Sequence, residues 1–151
     1  MKVAVSACLL GVRCRFDGRS KPSVEVQRFL EDRECQVAKI CPEVMGGLSI
    51  PHPPHEQCAV DGQIRVVDDE GNDHTEAFEA GARAACSLVC DSGCTHAILK
   101  AKSPSCGVGE VYDGTFSGVL VPGDGIATKM LKEAGVVVAT ENNFRQHFGC
   151  E

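Results

Sequence analysis

Four short apolar runs, separated by segments with helical spacing, limit the fold of this chain more than any other feature. The apolar runs lie at residues 3–9, 36–41, 96–99 and 136–139. Their length and their lack of polar alternation predict strands that are buried on both faces. Helices are predicted between and after them, at residues 23–31, 75–88, 125–134 and 142–148. This alternation predicts an α/β fold, a single three-layer domain with a mostly parallel central sheet and helices on both faces.

Two segments interrupt the alternation and carry the turn dipeptides of β-hairpins. They span residues 60–73, with Asp61-Gly62, and residues 110–122, with Asp113-Gly114. No glycine pattern of the dinucleotide-binding or P-loop type follows the first strand, so a nucleotide cofactor is not indicated. Because no repeat or linker interrupts the chain, we expect one domain that spans residues 1–151.

The charge balance narrows the range of partners. Lys and Arg number 15 against 21 Asp and Glu, which gives a net charge of −6, and no run of basic residues offsets it. A nucleic-acid partner is therefore not expected, because duplex binding depends on neutralising phosphates. No apolar run reaches the roughly 20 residues of a membrane span, so a membrane partner is not expected either. A small substrate fits this composition better.

Ten cysteines among 151 residues are the unusual feature of the composition. Residues 5–8, Val-Ser-Ala-Cys, look like a lipoprotein cleavage box, but the few residues before Cys8 leave no room for the apolar region of a signal peptide. We therefore expect a cytoplasmic, reducing location. There, cysteines serve as metal ligands, redox groups or small buried side chains, and not as disulfides.

Three of the cysteines fall at the ends of predicted strands. Cys8 ends the first strand, Cys41 ends the second, and Cys106 follows the third. In an open parallel sheet the ligand crevice lies outside the carboxyl ends of the strands, so the fold should bring all three together. Three thiolates suit soft metals and iron–sulfur clusters, although buried small side chains are the alternative interpretation.

Polar side chains accompany these cysteines. Glu43 lies two residues past Cys41, and a carboxylate in a partly desolvated crevice can be tuned to act as a general acid or base. Ser103 and Ser105 flank Pro104 on the loop that carries Cys106. Their hydroxyls could orient water or substrate, or they could simply form the turn, which is the commoner use of Ser near Pro.

Three sequence blocks surround these residues: VSACLLG at 5–11 with RFDG at 15–18, CPEV at 41–44 with Gly47-Leu48, Pro51 and Pro53, and SPSCG at 103–107. In this order and spacing, over about residues 2–139, they resemble the 2-thiouracil desulfidase family, long catalogued as a bacterial domain of unknown function. One departure is His52, where the family pattern leads us to expect Arg after Pro51. This departure concerns substrate contacts more than a cluster.

The resemblance implies a [4Fe–4S] cluster held by Cys8, Cys41 and Cys106, with Glu43 and Ser103 assisting. It implies removal of sulfur from a thiolated pyrimidine, a thiouracil base or nucleotide, by water, with release of sulfide. Glu43 would move protons and Ser103 would position water or substrate. Such a cofactor also implies the cluster-assembly machinery as a partner. The expected substrate contacts are Arg15, Asp17 and Ser105.

The remaining cysteines carry weaker signals. Cys86 and Cys90 lie four residues apart on a predicted helix, and we favour packing over metal binding for both. Cys14, between two arginines, is either a reactive thiol of lowered pKa or an ordinary loop residue. Cys35 and Cys150 have no companion pattern, and Cys150 is expected to be exposed.

Two other functions stay open at this point. A sulfur-carrier protein could hold a persulfide on Cys14 or Cys94. A zinc-stabilised binding module would do no chemistry, and its tetrahedral site could be formed by His52, His55, Cys58 and Cys41.

Overall fold

A four-stranded parallel sheet forms the centre of the protein. The computed structural model describes residues 1–149. The strands of this sheet are β1 (Lys2–Ser6), β2 (Gln36–Ile40), β5 (His96–Leu99) and β8 (Val137–Thr140). They pair in the order β2-β1-β5-β8, and every neighbouring pair is parallel. The prediction of an α/β fold with a mostly parallel central sheet is therefore confirmed.

Helices cover both faces of this sheet. They are α1 (Val24–Asp32), α2 (Pro42–Met45), α3 (Thr75–Asp91), α4 (Ile126–Glu133) and α5 (Phe144–His147). Because successive side chains of a strand point to opposite faces, Val5 packs in the core under α1 and α5, whereas Ala4 packs in the core under α3 and α4. The three layers are those predicted. No helix within residues 1–149 is long and apolar enough to cross a membrane.

Two antiparallel hairpins lie outside the central sheet. The first pairs β3 (His55–Val60) with β4 (Gln63–Asp68), and the second pairs β6 (Glu110–Tyr112) with β7 (Leu120–Pro122). Asp61 and its neighbouring glycine both have positive φ angles, as the two-residue hairpin turn requires. The first hairpin starts five residues earlier than predicted, because the prolines before it hid the strand.

The first strand is shorter than predicted, and this changes the setting of Cys8. The apolar run continues to Leu10, but β1 ends at Ser6 and the chain then forms a short 3-10 helix, Ala7–Leu10. Gly11, with φ of 90°, ends that helix in the left-handed region. Cys8 therefore lies one turn beyond the strand and not within it.

Two glycines, which have no side chain, allow α2 to pack directly against the backbone of α3. A Cβ added at Gly81 would lie 2.8 Å from the carbonyl carbon of Pro42 and 2.9 Å from the nitrogen of Gly46. A Cβ added at Gly46 would likewise overlap the backbone of Ala77. The two helices touch backbone to backbone, so the position of α2, which begins right after Cys41, is fixed by α3.

Candidate active site

A cavity of about 390 Å³ lies at the carboxyl edge of the central sheet. Cys8 reaches it from the 3-10 helix after β1, Cys41 from the N-cap of α2 after β2, and Cys106 from the loop after β5. Cys8 and Cys106 are buried and Cys41 is half-buried. The structure thus brings the three predicted ligands to one cavity, as expected for carboxyl ends of parallel strands.

The three sulfurs are spread around a space wider than a single ion needs. Among residues 1–149, only His55, Asp68 and His74 place three or more metal-ligating atoms within 4.8 Å of one another. The three cysteine sulfurs do not meet this limit, whereas the sulfurs around one tetrahedral ion at 2.3 Å would lie about 3.8 Å apart. The spacing suits a cluster of several metal atoms better than one ion.

The thiols differ in their readiness to ionise. The Cys14 thiol hydrogen-bonds to Cys41 and, against the effect of burial, lowers the pKa of Cys41 to about 7, with help from the backbone N–H groups of Val44 and Glu43. Burial raises the pKa of Cys8 to about 11, although Lys100 opposes it. Burial also raises the pKa of Cys106. Metal binding at these two thiols must therefore release protons.

Cys14 brings a fourth sulfur to the cavity, which sequence reasoning did not place there. It lines the same cavity, and its carbonyl oxygen lies 3.7 Å from the Sγ of Cys41. Its pKa is raised, first because its thiol hydrogen-bonds to Cys41 and then because it is buried. The raised pKa does not favour the reactive thiol of lowered pKa, which is one of the two interpretations that the sequence leaves open.

Glu43 projects into the cavity from the first turn of α2. Its Oε2 accepts a hydrogen bond from Ser105 Oγ at 3.3 Å, and its Oε1 lies 3.1 Å from His52 Nε2. Both carboxylate oxygens therefore have a partner that fixes the side chain. A held carboxylate beside three thiols can exchange protons with a molecule in the cavity.

His52 is the side chain that stands beside Glu43 in this chain. Only 6 % of its side chain is exposed, and its Nδ1 lies 2.8 Å from the carbonyl oxygen of Pro53. The hydrogen bond to Glu43 raises the pKa of His52 although burial opposes it. Since Nδ1 donates to a carbonyl, a protonated ring can donate to Glu43 through Nε2.

The two serines of the SPSCG block have separate roles in the structure. Ser103 lines the cavity, and its Oγ accepts from the backbone N–H groups of Ser105 and Cys106, both at 3.1 Å. Its own hydroxyl hydrogen is left to donate. Ser105 is 2 % exposed, does not line the cavity and donates to Glu43. Its expected contact with substrate is thus replaced by contact with the carboxylate.

Of the two expected substrate contacts on the loop after β1, one lines the cavity and the other does not. Arg15 lines the cavity. Asp17 does not, because it is exposed and its Oδ1 accepts from the backbone N–H of Arg19 within the turn. Sequence reasoning also missed Lys100 and Tyr112, which line the cavity. Lys100 directly follows the β5 apolar run, at the strand end where ligand contacts are expected.

The proposed zinc set of His52, His55, Cys58 and Cys41 is not brought together. His55 and Cys58 are three residues apart on β3, so they point to opposite faces of the hairpin. Cys58 packs against the turn of the second hairpin at Gly114. The zinc-stabilised module therefore loses the ligand set on which it depended.

The other cysteines within residues 1–149 lie away from the cavity. Cys86 packs against the core between the sheet and α3, as predicted, whereas Cys90 is exposed and does not. Cys94 is buried, and burial raises its pKa, which does not favour a persulfide carrier there. Cys35 packs against the opposite core. Cys150, expected to be exposed, lies outside the described residues.

Comparison with known proteins gives a consistent result. A Bacillus subtilis (strain 168) relative, described as uncharacterized protein YbbK, is 35% identical over 146 residues, which cover 93% of this chain and 95% of the relative. A solved structure described as [4Fe-4S]-dependent thiouracil desulfidase TudS is similar with a TM-score of 0.86 and 40% sequence identity, over 97% of this chain and 95% of that chain. The family model for 2-thiouracil desulfurase matches residues 3–143. The resemblance carried by the three sequence blocks is confirmed, and the chain belongs to the 2-thiouracil desulfurase family.

Proposed function

We propose that this protein is a [4Fe–4S]-dependent desulfidase that replaces the sulfur of a thiolated pyrimidine by oxygen from water. The observation that carries the proposal is the convergence of Cys8, Cys41 and Cys106 with Glu43 on one cavity. Membership of the desulfurase family and the likeness to TudS support it. Overall, a thiocarbonyl and water give a carbonyl and hydrogen sulfide, without net oxidation or reduction.

The donor set fits an iron–sulfur cluster. Cys8, Cys41 and Cys106 would hold it, because thiolates are the usual ligands of such clusters and these sulfurs are too far apart for one ion. When bound through three cysteines, the cluster supplies an iron with an open position, which acts as a Lewis acid toward the substrate sulfur. Cys14 stays outside this set and steadies Cys41 by its hydrogen bond.

Glu43 is the group that would move protons. Attack of water at the thiocarbonyl carbon needs a base, and departure of the sulfur needs a proton. Glu43 can take a proton from water through one oxygen while His52 and Ser105 hold the carboxylate in place. His52, when neutral, can take the proton from protonated Glu43 through Nε2, and this returns Glu43 to a form that can accept the next proton.

Substrate would be held by the polar groups at the cavity wall. Ser103 keeps a hydroxyl hydrogen to donate, and Arg15, Lys100 and Tyr112 line the same space. These groups fit the oxygen and nitrogen atoms of a pyrimidine or the phosphate of a nucleotide. We infer that the substrate is a small base or nucleotide and that cluster-assembly proteins are partners. We also infer that one domain over residues 1–151 carries the whole site, and that the protein works in the cytoplasm.

Substitution of Glu43 tests this proposal. Glu43→Gln keeps the shape and removes the proton transfer, so anaerobic sulfide release from 2-thiouracil or 4-thiouracil should fall about 10²–10⁴-fold while iron and sulfide content stay normal. The matched control is Glu76→Gln, an exposed carboxylate on the first turn of α3, which should keep full turnover. Full turnover by Glu43→Gln, or wild-type protein that holds no cluster after anaerobic reconstitution, would contradict the proposal.

A further inference from the structure

We propose that His55, Asp68 and His74 form a binding site for one divalent transition-metal cation of the zinc type. None of these three residues is one of the cysteines that would hold the cluster. The ligand atoms of these three side chains lie within 4.8 Å of one another. His55 begins β3, Asp68 ends β4 in register with it, and His74 is the N-cap residue of α3. The site therefore joins three elements at one corner of the fold.

His55 is the observation that points to a ligand. It is 8 % exposed, and neither of its ring nitrogens has a hydrogen-bond partner. Its ring packs among aromatic groups, with centroids 4.9 Å from His74 and 5.0 Å from Phe78. Buried imidazole nitrogens without partners are unfavourable, whereas a cation would accept the lone pair of one of them.

The spacing of the other two groups matches a cation better than a direct ion pair. His74 Nε2 lies 3.4 Å from Asp68 Oδ2, which is long for a charge-assisted hydrogen bond. Two ligands of one tetrahedral zinc ion, at the usual 2.0–2.1 Å, are about 3.3 Å apart. Two imidazoles and one carboxylate suit zinc and its neighbours, while magnesium and calcium prefer oxygen ligands alone.

The carboxylate of Asp68 is already oriented. Its Oδ1 accepts from the backbone N–H groups of Glu70 and Asn72, at 3.0 and 2.8 Å, and its Oδ2 accepts from Asn72 Nδ2 at 3.0 Å. The backbone of His74 donates to the carbonyl of Val66 at 2.8 Å. Such outer contacts fix ligand orientation, as they do at known metal sites.

The protonation states favour metal binding near neutral pH. Burial lowers the pKa of His55, so its ring is neutral and can offer a lone pair. Burial tends to raise the pKa of Asp68, but the hydrogen bonds from Asn72 and Glu70 outweigh it and lower the pKa to about 2. Both shifts favour the deprotonated forms of the side chains, which are the forms that bind metals.

A cation here would tie the first hairpin to α3. The side chain of His74 is 39 % exposed, which leaves access for water at the fourth coordination position. His55 also lines the cavity that holds the three cysteines, and its ring centroid lies 5.2 Å from that of His52. The proposed ion would therefore fix one wall of the cavity, and its presence does not depend on the desulfidase activity.

Zinc uptake by the cluster-loaded protein tests the site, because the cluster occupies the cysteines. The anaerobic holoprotein is equilibrated with a slight excess of zinc, and zinc and iron are measured together by elemental analysis. Wild type should retain about one zinc per chain more than His74→Gln, at equal iron content. His147→Gln, an exposed histidine outside the site, is the control and should behave as wild type.

Two further measurements distinguish loss of the site from misfolding of the variant and from zinc binding to cysteine sulfur. His55→Phe keeps an aromatic ring in the buried position and should also lose the extra zinc while retaining iron. Cobalt(II) in place of zinc should give d–d absorption without a thiolate charge-transfer band, since the site contains no sulfur. Equal zinc in wild type and His74→Gln, or a thiolate band with cobalt, overturns the assignment; the space beside His55 then holds at most water.

Discussion

The contact between α2 and α3 gives a prediction whose size can be worked from the structure. In Gly81→Ala, the new Cβ would meet the Pro42 carbonyl carbon at 2.8 Å and the Gly46 nitrogen at 2.9 Å. Ordinary contacts need about 3.5–4.0 Å, and the Pro42 carbonyl oxygen lies closer still to the new Cβ, so α2 must move by more than about 1 Å. Because Glu43 lies on the first turn of α2, the carboxylate moves with it.

The expected effect on activity is larger than that on stability. Because the overlap is with backbone atoms, the overpacking cost lies at the upper end of about 1–3 kcal/mol, and the better helix propensity of Ala returns about 1 kcal/mol, so the free energy of unfolding should fall by about 2 kcal/mol. A misplacement of about 1 Å at a catalytic group can cost about 10²-fold in rate. Gly81→Ala should therefore stay folded and lose most of its turnover.

The assay combines three measurements on anaerobic protein: sulfide release from thiouracil, iron content and the midpoint of thermal unfolding. Ala84→Ser, an exposed change on the same helix, is the control and should match wild type in all three. Wild-type turnover by Gly81→Ala would refute the argument, because it would mean that α2 accommodates the methyl group without moving Glu43.

Three other changes have defined outcomes. Cys8→Ser should abolish cluster retention because a hydroxyl replaces thiolate poorly on iron, whereas Cys86→Ser should keep full iron; reversed iron contents would contradict the ligand set. Ser103→Ala should keep the cluster, lose about 10-fold or more in turnover and lower stability by about 1 kcal/mol, since its Oγ accepts two backbone N–H groups. The raised pKa of His52 means that its contribution to stability is fully present below the unfolded value of about 6.5 and is lost as pH rises through the folded value. Denaturant titrations from about pH 6 to about pH 9 should thus show wild type converging with His52→Gln, and a constant gap would contradict this assignment.

The central sheet and the meeting of three cysteines could be predicted from the sequence because both follow from topology. Parallel strands leave their carboxyl ends at one edge, so residues after separate strands meet there whatever their distance along the chain. Cys8, Cys41 and Cys106 follow β1, β2 and β5 in this way. The exact turn that carries Cys8 was not predictable, since an apolar run does not show where the strand ends.

Features that depend on hairpin register or on turn geometry escaped prediction. The pairing of His55 with Asp68 requires the register of β3 against β4, and the prolines before His55 hid where β3 begins. Asp17 was expected at the substrate because it lies in the right loop. Its carboxylate instead closes its own turn by accepting from Arg19, as Asp side chains in turns commonly do.

The parallel pairing of β1 also determines when during folding the site can exist. Val3 pairs with Val37 on one side and with His96 on the other, and each pair closes a long loop. Loop closure of this kind makes parallel sheets slow to form. Cys106 follows β5 along the chain, so a nascent chain that ends before β5 offers two of the three thiols. Metal clusters must then be delivered to a chain that has already folded most of its length, and each delivered cluster shifts the equilibrium further toward the folded state.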